Sequence, residues 1–370
     1  MLGVAALVLA VLLAASHSAR VAVKSILILP SAIAALPVDP LRMMTPSPSR
    51  ESFGFDYDAG SAVGEVYAPG WGGRHGAILL LLGARAVELD NPTLVRFADG
   101  LSRAGAVVMV SASSELAVGR VVPEEVDAVA RAVDLLRARD DVDPGRVGVI
   151  GFSVGGSVAI LAAGDPRLTG KLAFVNAFGA FNDARDLVRA VATRRLAYAG
   201  VDEAWEPYPL TRWVFARQLV DTLPDPTDRG MIDRIYIQYD DEARADVERM
   251  TPVGRAALSL LDGASPEEVE AALEILPEAT LDRLRGISPN QSLDRVTTRL
   301  FLMHDVGDRL IPYTESRRMV ARATSAAELH HTEFNLFDHV TPNESLGSAG
   351  VVLELGKLFR QLHGVLVHVL

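Results

Sequence analysis

The 370-residue sequence predicts an α/β architecture: a mostly parallel twisted sheet covered by helices on both faces, with a helical insertion. Three observations carry this expectation. Beyond residue 50, strand-like apolar runs alternate with helix-periodic stretches, the pattern of repeated β-α-β units. Ala77–Leu82, AILLLL, is apolar at every position, as a central parallel strand buried on both faces must be. Finally, 117 residues separate Phe181 from Arg299, where a minimal crossover needs about a dozen.

Each element has its own signal. Glu51–Asp58 and Ala62–Ala68 read as opening antiparallel strands, followed by the apolar strand Ala77–Leu82. Asn91 and Pro92 form an N-cap and N1 pair, and Leu94, Phe97, Ala98 and Leu101 share one face of a helix that Gly105 ends. Ala106–Val110 is the next strand. Pro123–Arg139 carries Val126, Val129, Val133 and Leu136 at helical spacing. The turn Asp143-Pro144-Gly145 leads into a buried strand, Arg146–Gly151. Lys171–Phe178 and Arg299–His304 are further strands, Phe334–Phe337 is the expected last strand, and Glu344–Leu370 a closing helix. The segment 182–298 is helical in pattern, with the capping box Ser265-Pro266-Glu267-Glu268. It holds Trp205, Trp213, Tyr198, Tyr208, Tyr236 and Tyr239, which either build a small core of their own or line a substrate pocket as part of a cap. The expected layout is therefore 1–38 an N-terminal hydrophobic segment, 39–50 a linker, 51–181 and 299–370 the two parts of the core, and 182–298 the cap.

Leu2–Ala15 is an unbroken run of apolar and small residues. Three readings stand: a cleaved signal segment, an uncleaved anchor forming one helix from Leu2 to about Leu29, or a buried or interfacial helix. The anchor would be about 42 Å long, enough to cross a bilayer with Arg20 and Lys24 reaching back to the headgroups. Asp39–Arg50, with Pro40, Pro46 and Pro48, reads as a linker. Composition narrows the function classes. With 49% hydrophobic and 22% charged residues the chain can bury a sizeable core. The absence of cysteine excludes disulfides, thiolate metal sites and a Cys nucleophile. A net charge of −11 disfavours nucleic acid and anionic lipid surfaces as non-specific partners.

The chemistry concentrates in Arg146–Ile160, RVGVIGFSVGGSVAI, where an apolar strand runs into Gly151-Phe152-Ser153-Val154-Gly155 and then a helix. In that context G-x-S-x-G is a nucleophile elbow: small residues permit a strained turn that lifts Ser153 Oγ above the sheet. Such a serine needs a base and the base needs an orienting acid, expected in the order Ser, Asp or Glu, His. HDVGDRLIP, residues 304–312, offers Asp308, with Asp305 the alternative acid nearer the strand end. Phe337-Asp338-His339 offers His339, preferred over His330 and His331, which sit in or before the expected strand.

At these residues the chain resembles the α/β-hydrolase superfamily over Glu51–Leu370, and GFSVGG followed by SVAI is similar to its dienelactone-hydrolase-like branch. The resemblance implies a serine hydrolase acting on a small-molecule ester, lipophilic ones included, without metal or organic cofactor. It implies Ser153 as nucleophile, His339 as base, Asp308 as acid, and oxyanion donors at Val154 and Ala84, with Arg85 the alternative to Ala84. Two departures qualify the branch: its members commonly carry Cys where this chain has Ser153, and Leu82-Gly83-Ala84-Arg85 stands where many relatives have His-Gly. A serine peptidase of prolyl-oligopeptidase type, an acyltransferase and a non-catalytic binding protein are the competing readings.

Overall fold

The computed structural model describes residues 16–33, 39–86, 89–339, 341–342 and 348–370. Ten strands matter here: β1 (Ser49–Tyr57), β2 (Gly60–Ala68), β3 (His75–Leu81), β4 (Val107–Ser113), β5 (Val142–Phe152), β6 (Phe174–Phe178), the separate hairpin β7 (Arg195–Tyr198) and β8 (Val201–Ala204), β9 (Arg299–Asp305) and β10 (Leu329–Phe334). Eight of them form one sheet in the order β1-β2-β4-β3-β5-β6-β9-β10. Only β2 runs against the rest, pairing antiparallel with both β1 and β4. The expected α/β-hydrolase fold, a mostly parallel sheet flanked by helices, is what the chain adopts.

Before the cap come helices α1 (His17–Ala32), α2 (Pro40–Met44), α3 (Pro92–Ala104), α4 (Glu125–Arg137) and α5 (Val154–Ala163). The cap contributes α6 (Ala184–Thr193), α7 (Pro209–Thr222), α8 (Pro226–Ile232), α9 (Pro252–Asp262), α10 (Pro266–Ile275) and α11 (Glu278–Gly286); α12 (Thr314–Arg322) and α13 (Ser348–Leu366) close the core. Because strand side chains alternate, β3 feeds two cores. Ile78 and Leu80 join Ile28 of α1, Leu101 of α3 and Leu362 of α13, while Leu79 joins Val133 of α4 and Val158 of α5 on the other face. That two-sided burial explains why β3 is apolar from Ala77 to Leu81.

One form of the N-terminal expectation, a single helix from Leu2 to about Leu29, needs correcting. Leu2–Ala15 lies outside the described residues, but the chain does not continue from it to Leu29 as one helix. Ser16 accepts the Ala19 N–H at 3.2 Å and caps the helix α1. This helix packs on the body: Val21 and Ile28 are buried, and His17 and Ser18 hydrogen-bond Val367 and His363 of the C-terminal segment. Removing two such side chains from the core costs about 1.5–3 kcal/mol each. Lys24, expected to reach toward headgroups, is half-buried with its ammonium pKa lowered by burial and by Arg146 and Arg20 nearby. Among the described residues no helix is long and apolar enough to cross a membrane.

Three further expectations shift. The supposed linker holds α2, whose Leu41 is buried, and Arg103 of α3 clasps the following turn through the carbonyls of Thr45 and Pro46. The last strand of the sheet is β10, which ends where the expected Phe334–Phe337 begins. β10 is an edge strand with sequence LHHTEF and five half-buried or exposed positions, so no apolar run marks it. Phe337–Asp338 pairs instead with Thr341–Pro342. The cap is helical but also contains the β7–β8 hairpin.

Candidate active site

β5 delivers Ser153 to the sheet's C-terminal edge. Ser153 has φ 56° and ψ −130°, a strained conformation for an L-residue, held by its N–H to the Phe178 carbonyl at 2.7 Å. The turn is possible only because two neighbours lack side chains. A Cβ on Gly151 would lie 2.3 Å from the Gly155 carbonyl oxygen, and one on Gly155 would lie 2.4 Å from that of Leu82. The strand and α5 therefore touch backbone to backbone, and Ser153 stands proud at the helix N-terminus.

His339 follows the short Phe337–Asp338 strand with φ 61°. Its Nδ1 is 2.5 Å from Oδ2 of Asp308, and both residues are buried. Its Nε2 is buried and has no hydrogen-bond partner among the described residues. Ser153 and His339 line one cavity, so the imidazole nitrogen opposite the Asp308 bond is the unengaged one; the Ser153–His339 bond itself is not made at rest. Catalytic hydrogen bonds of this kind commonly tighten only with substrate bound.

The choice between the two acids is decided by geometry. Asp305 spends Oδ2 on the Phe337 N–H at 2.7 Å and Oδ1 on the Gly307 N–H at 2.8 Å, and burial pushes its carboxyl up to about 6. It ties the loops together and is not the partner of His339. Asp308 accepts the N–H groups of Leu310 and Ile311 on Oδ1 at 2.7 and 3.0 Å. Burial works against its charge, but the His339 imidazole and the bonds from His304 and His339 outweigh it, holding the carboxyl well below the usual range. Sequence reasoning passed over His304, whose Nε2 is 3.2 Å from Asp308 Oδ2. The available signal was its place at the end of β9, four positions before the acid.

The expected oxyanion donors are free to act. The N–H groups of Val154 and Ala84 bond no described residue, whereas the Arg85 N–H turns back to the Gly83 carbonyl at 2.9 Å. Arg85 is thereby removed as the alternative donor. The loop carrying Ala84 lies against the serine: a Cβ on Gly83 would sit 3.1 Å from Ser153 Cβ.

Above these groups lies a cavity of about 230 Å³. The cap walls it with Val188 and Val191 of α6, Leu210 and Val214 of α7, and Leu284 of α11, so the site is almost wholly apolar. The expected tryptophans and tyrosines do not line it. Trp205 packs with Val191, Leu196 and Tyr313 and donates Nε1–H to the Asp308 carbonyl at 2.8 Å. Tyr236 is bonded to Asp262, and Trp213 lies against Gly119 and the Arg217 guanidinium. These cap tryptophans and tyrosines are structural, and the cap faces the cavity with aliphatic side chains and Phe215. Among the described residues no cluster of His, Asp and Glu is arranged to hold a metal ion.

No family model and no curated protein matches the chain. It is similar in structure to a 2,6-dihydroxy-pseudo-oxynicotine hydrolase, at 16% identity over 88% of this chain and 69% of that one, with a TM-score of 0.49. An esterase of Pyrococcus furiosus gives 12%, 88%, 92% and 0.48 on the same measures. An acylaminoacyl peptidase of Pyrococcus horikoshii gives 12%, 88%, 42% and 0.47, so the chain spans less than half of that protein. At such identities a functional reading has to come from this chain's own side chains.

Proposed function

We propose that this chain is a serine hydrolase that cleaves a carboxylic ester, or a related acyl bond, bearing an apolar group. One observation carries the reading: a strained, cavity-lining Ser153 shares its cavity with His339, which is bonded to the buried Asp308 and has Nε2 unengaged. In this scheme Nε2 takes the hydroxyl proton as Ser153 Oγ bonds the acyl carbon, and Asp308 stabilises the imidazolium. The Val154 and Ala84 N–H groups receive the oxyanion, each supplying about 10²–10³ in rate by analogy with other oxyanion holes. His339 returns the proton to the departing alcohol. Water then attacks the acyl-enzyme, giving its proton to His339 and releasing the acid and Ser153.

The apolar lining supports a hydrocarbon acyl or alcohol portion as the recognised group, because away from Arg85 at its edge a charged one would be desolvated without a partner. The GFSVGG motif remains the support for a dienelactone-hydrolase-like relationship, and Ser153 in place of Cys supports ordinary ester chemistry. The test is a fluorophosphonate probe followed by p-nitrophenyl esters of rising chain length beside acylaminoacyl peptides. Labelling of wild type and not of Ser153→Ala, with ester turnover falling roughly 10⁴-fold or more in the variant, is expected. Turnover that survives Ser153→Ala refutes the reading, turnover of peptides alone replaces it with a peptidase, and a folded protein that neither labels nor turns over is a binding protein.

A further inference from the structure

Two imidazoles lie against the acid of the site, and the proposed mechanism uses only one. His304 is fully buried at the end of β9. Its Nε2 lies 2.9 Å from the Ile311 carbonyl oxygen and 3.2 Å from Asp308 Oδ2, the same oxygen that His339 reaches at 2.5 Å. Both neighbours of that nitrogen are acceptors, so Nε2 carries the proton: it donates to the Ile311 carbonyl and keeps a close electrostatic contact with Asp308 Oδ2. Nδ1 is buried with no partner among the described residues. A neutral imidazole donating at Nε2 fits this environment, and a protonated one would bury a second N–H unpaired.

We infer that His304 is a positioning residue for Asp308: it pins the acid loop across residues 304–311 and draws on the oxygen that faces His339, setting how strongly Asp308 supports the imidazolium. The inference rests on the proposed serine hydrolase chemistry. The Asp308 carboxylate thus has four neighbours that favour its charge: two backbone N–H groups bonded to Oδ1, the His339 imidazole bonded to Oδ2, and His304 Nε2 3.2 Å from Oδ2. A donor on Oδ2 withdraws electron density that would otherwise stabilise His339 in its charged form. Its removal makes Oδ2 more basic and raises the pH at which His339 loses its proton. The other ionisable groups near His304 are Asp305, next in the strand, and His331 and Glu333 on β10, where Glu333 is paired with Arg317. None of them bonds Oδ2.

The test uses the full chain. His339 is titrated by imidazole ¹H–¹⁵N correlation, assigned with His339→Ala, and the acid limb of kcat/KM is followed on a p-nitrophenyl ester. In wild type the ¹⁵N shifts of His304 are expected to report the Nε2–H tautomer; a proton on Nδ1 overturns the inference without any variant. His304→Asn, whose amide ends short of the Nε2 position, is expected to raise the His339 midpoint by about half to one pH unit, the net worth of one hydrogen bond. His304→Gln restores a donor near that position and is expected to keep the wild-type midpoint. A residue that merely fills space lowers stability in both variants and moves neither midpoint, and that result, or equal shifts in the two, overturns the inference. If turnover proves independent of Ser153, the proposed function fails while the titration still decides the role of His304.

Discussion

Gly179 offers a direct probe of whether the His339–Asp308 pair is poised for work. It directly follows β6 with φ +64°, its N–H bonded to the Met303 carbonyl at 2.9 Å. A Cβ built there would stand 2.9 Å from His339 Cε1, 3.0 Å from Nδ1 and 3.4 Å from Asp308 Oδ2. In Gly179→Ala the imidazole must retreat by about 0.5 Å merely to reach tight van der Waals contact, and the methyl blocks the direction in which Asp308 holds it. Misplacement of a catalytic group by 1 Å can cost about 10²-fold, so a shift of this size should lower kcat/KM on a p-nitrophenyl ester about 10–100-fold, or about 1.4–2.7 kcal/mol. Placing an L-residue in the left-handed region costs about 1–2 kcal/mol of stability besides. Gly170→Ala separates the two effects. Gly170 has φ +71° with nothing within 4 Å of the added Cβ, so it should lose similar stability and keep full activity. Wild-type kcat/KM in folded Gly179→Ala, or equal activity losses in the two variants, would refute the reasoning.

Two more outcomes are expected from the cap and its junction with the core. Val188→Phe fills the aliphatic wall above Ser153 and should shorten the accepted chain. Excluding two or three methylenes at about 0.8 kcal/mol each lowers the octanoate-to-acetate ratio of kcat/KM by about 10–60-fold, and an unchanged ratio assigns the hydrocarbon to another space. Glu315, in the first turn of α12, is fully buried and accepts the N–H groups of Asn182 and Asp183 at 2.9 and 3.1 Å; burial pushes its carboxyl up to about 7. Between its unfolded value near 4.5 and about 7 the folded chain keeps a proton that the unfolded chain has lost. Stability should therefore fall by about 3 kcal/mol as pH rises through that window. Glu315→Gln keeps the acceptor and loses the titration, so urea unfolding at pH 5 and pH 8 should show a smaller decline than wild type, and an equal decline sinks the assignment.

What the sequence made legible came from local necessity. β3 had to be apolar along its length because it feeds two cores, and α3 announced itself through an Asn91 cap and a Gly105 stop at φ 115°. The GFSVG turn was visible because backbone contacts at Gly151 and Gly155 leave no room for other residues. What stayed hidden was decided by tertiary partners. Whether Asp305 or Asp308 meets His339 depends on how the 304–311 loop closes, a matter of bonds to Phe337, Gly307, Leu310 and Ile311 that spacing does not encode. β10 escaped because an edge strand can be polar, and the stretch from His17 left anchor and buried-helix readings both open because its apolar face matches a protein core as well as lipid. The cap aromatics misled for the same reason: large rings are as useful for fixing a cap as for lining a pocket.

That fixing has a consequence for the site. Trp205 donates to the Asp308 carbonyl, the Tyr208 N–H to that of Arg309 at 2.8 Å and Thr211 Oγ1 to that of Leu310 at 2.9 Å, while Arg309 Nε returns a bond to the Glu206 carbonyl. Residues 205–211 of the cap thus grip every carbonyl from 308 to 310. Lifting this side of the cap would strip those carbonyls of their partners. The cost is up to about 1–3 kcal/mol for each left buried and unsatisfied, and the stretch of chain that orients Asp308 would be freed at the same moment. An opening there would therefore disable the acid that the closed state positions. The same contacts that fix the cap beside the cavity also hold the charge behind His339, so on the acid-loop side the cap is built as part of the scaffold that positions Asp308 and not as a door.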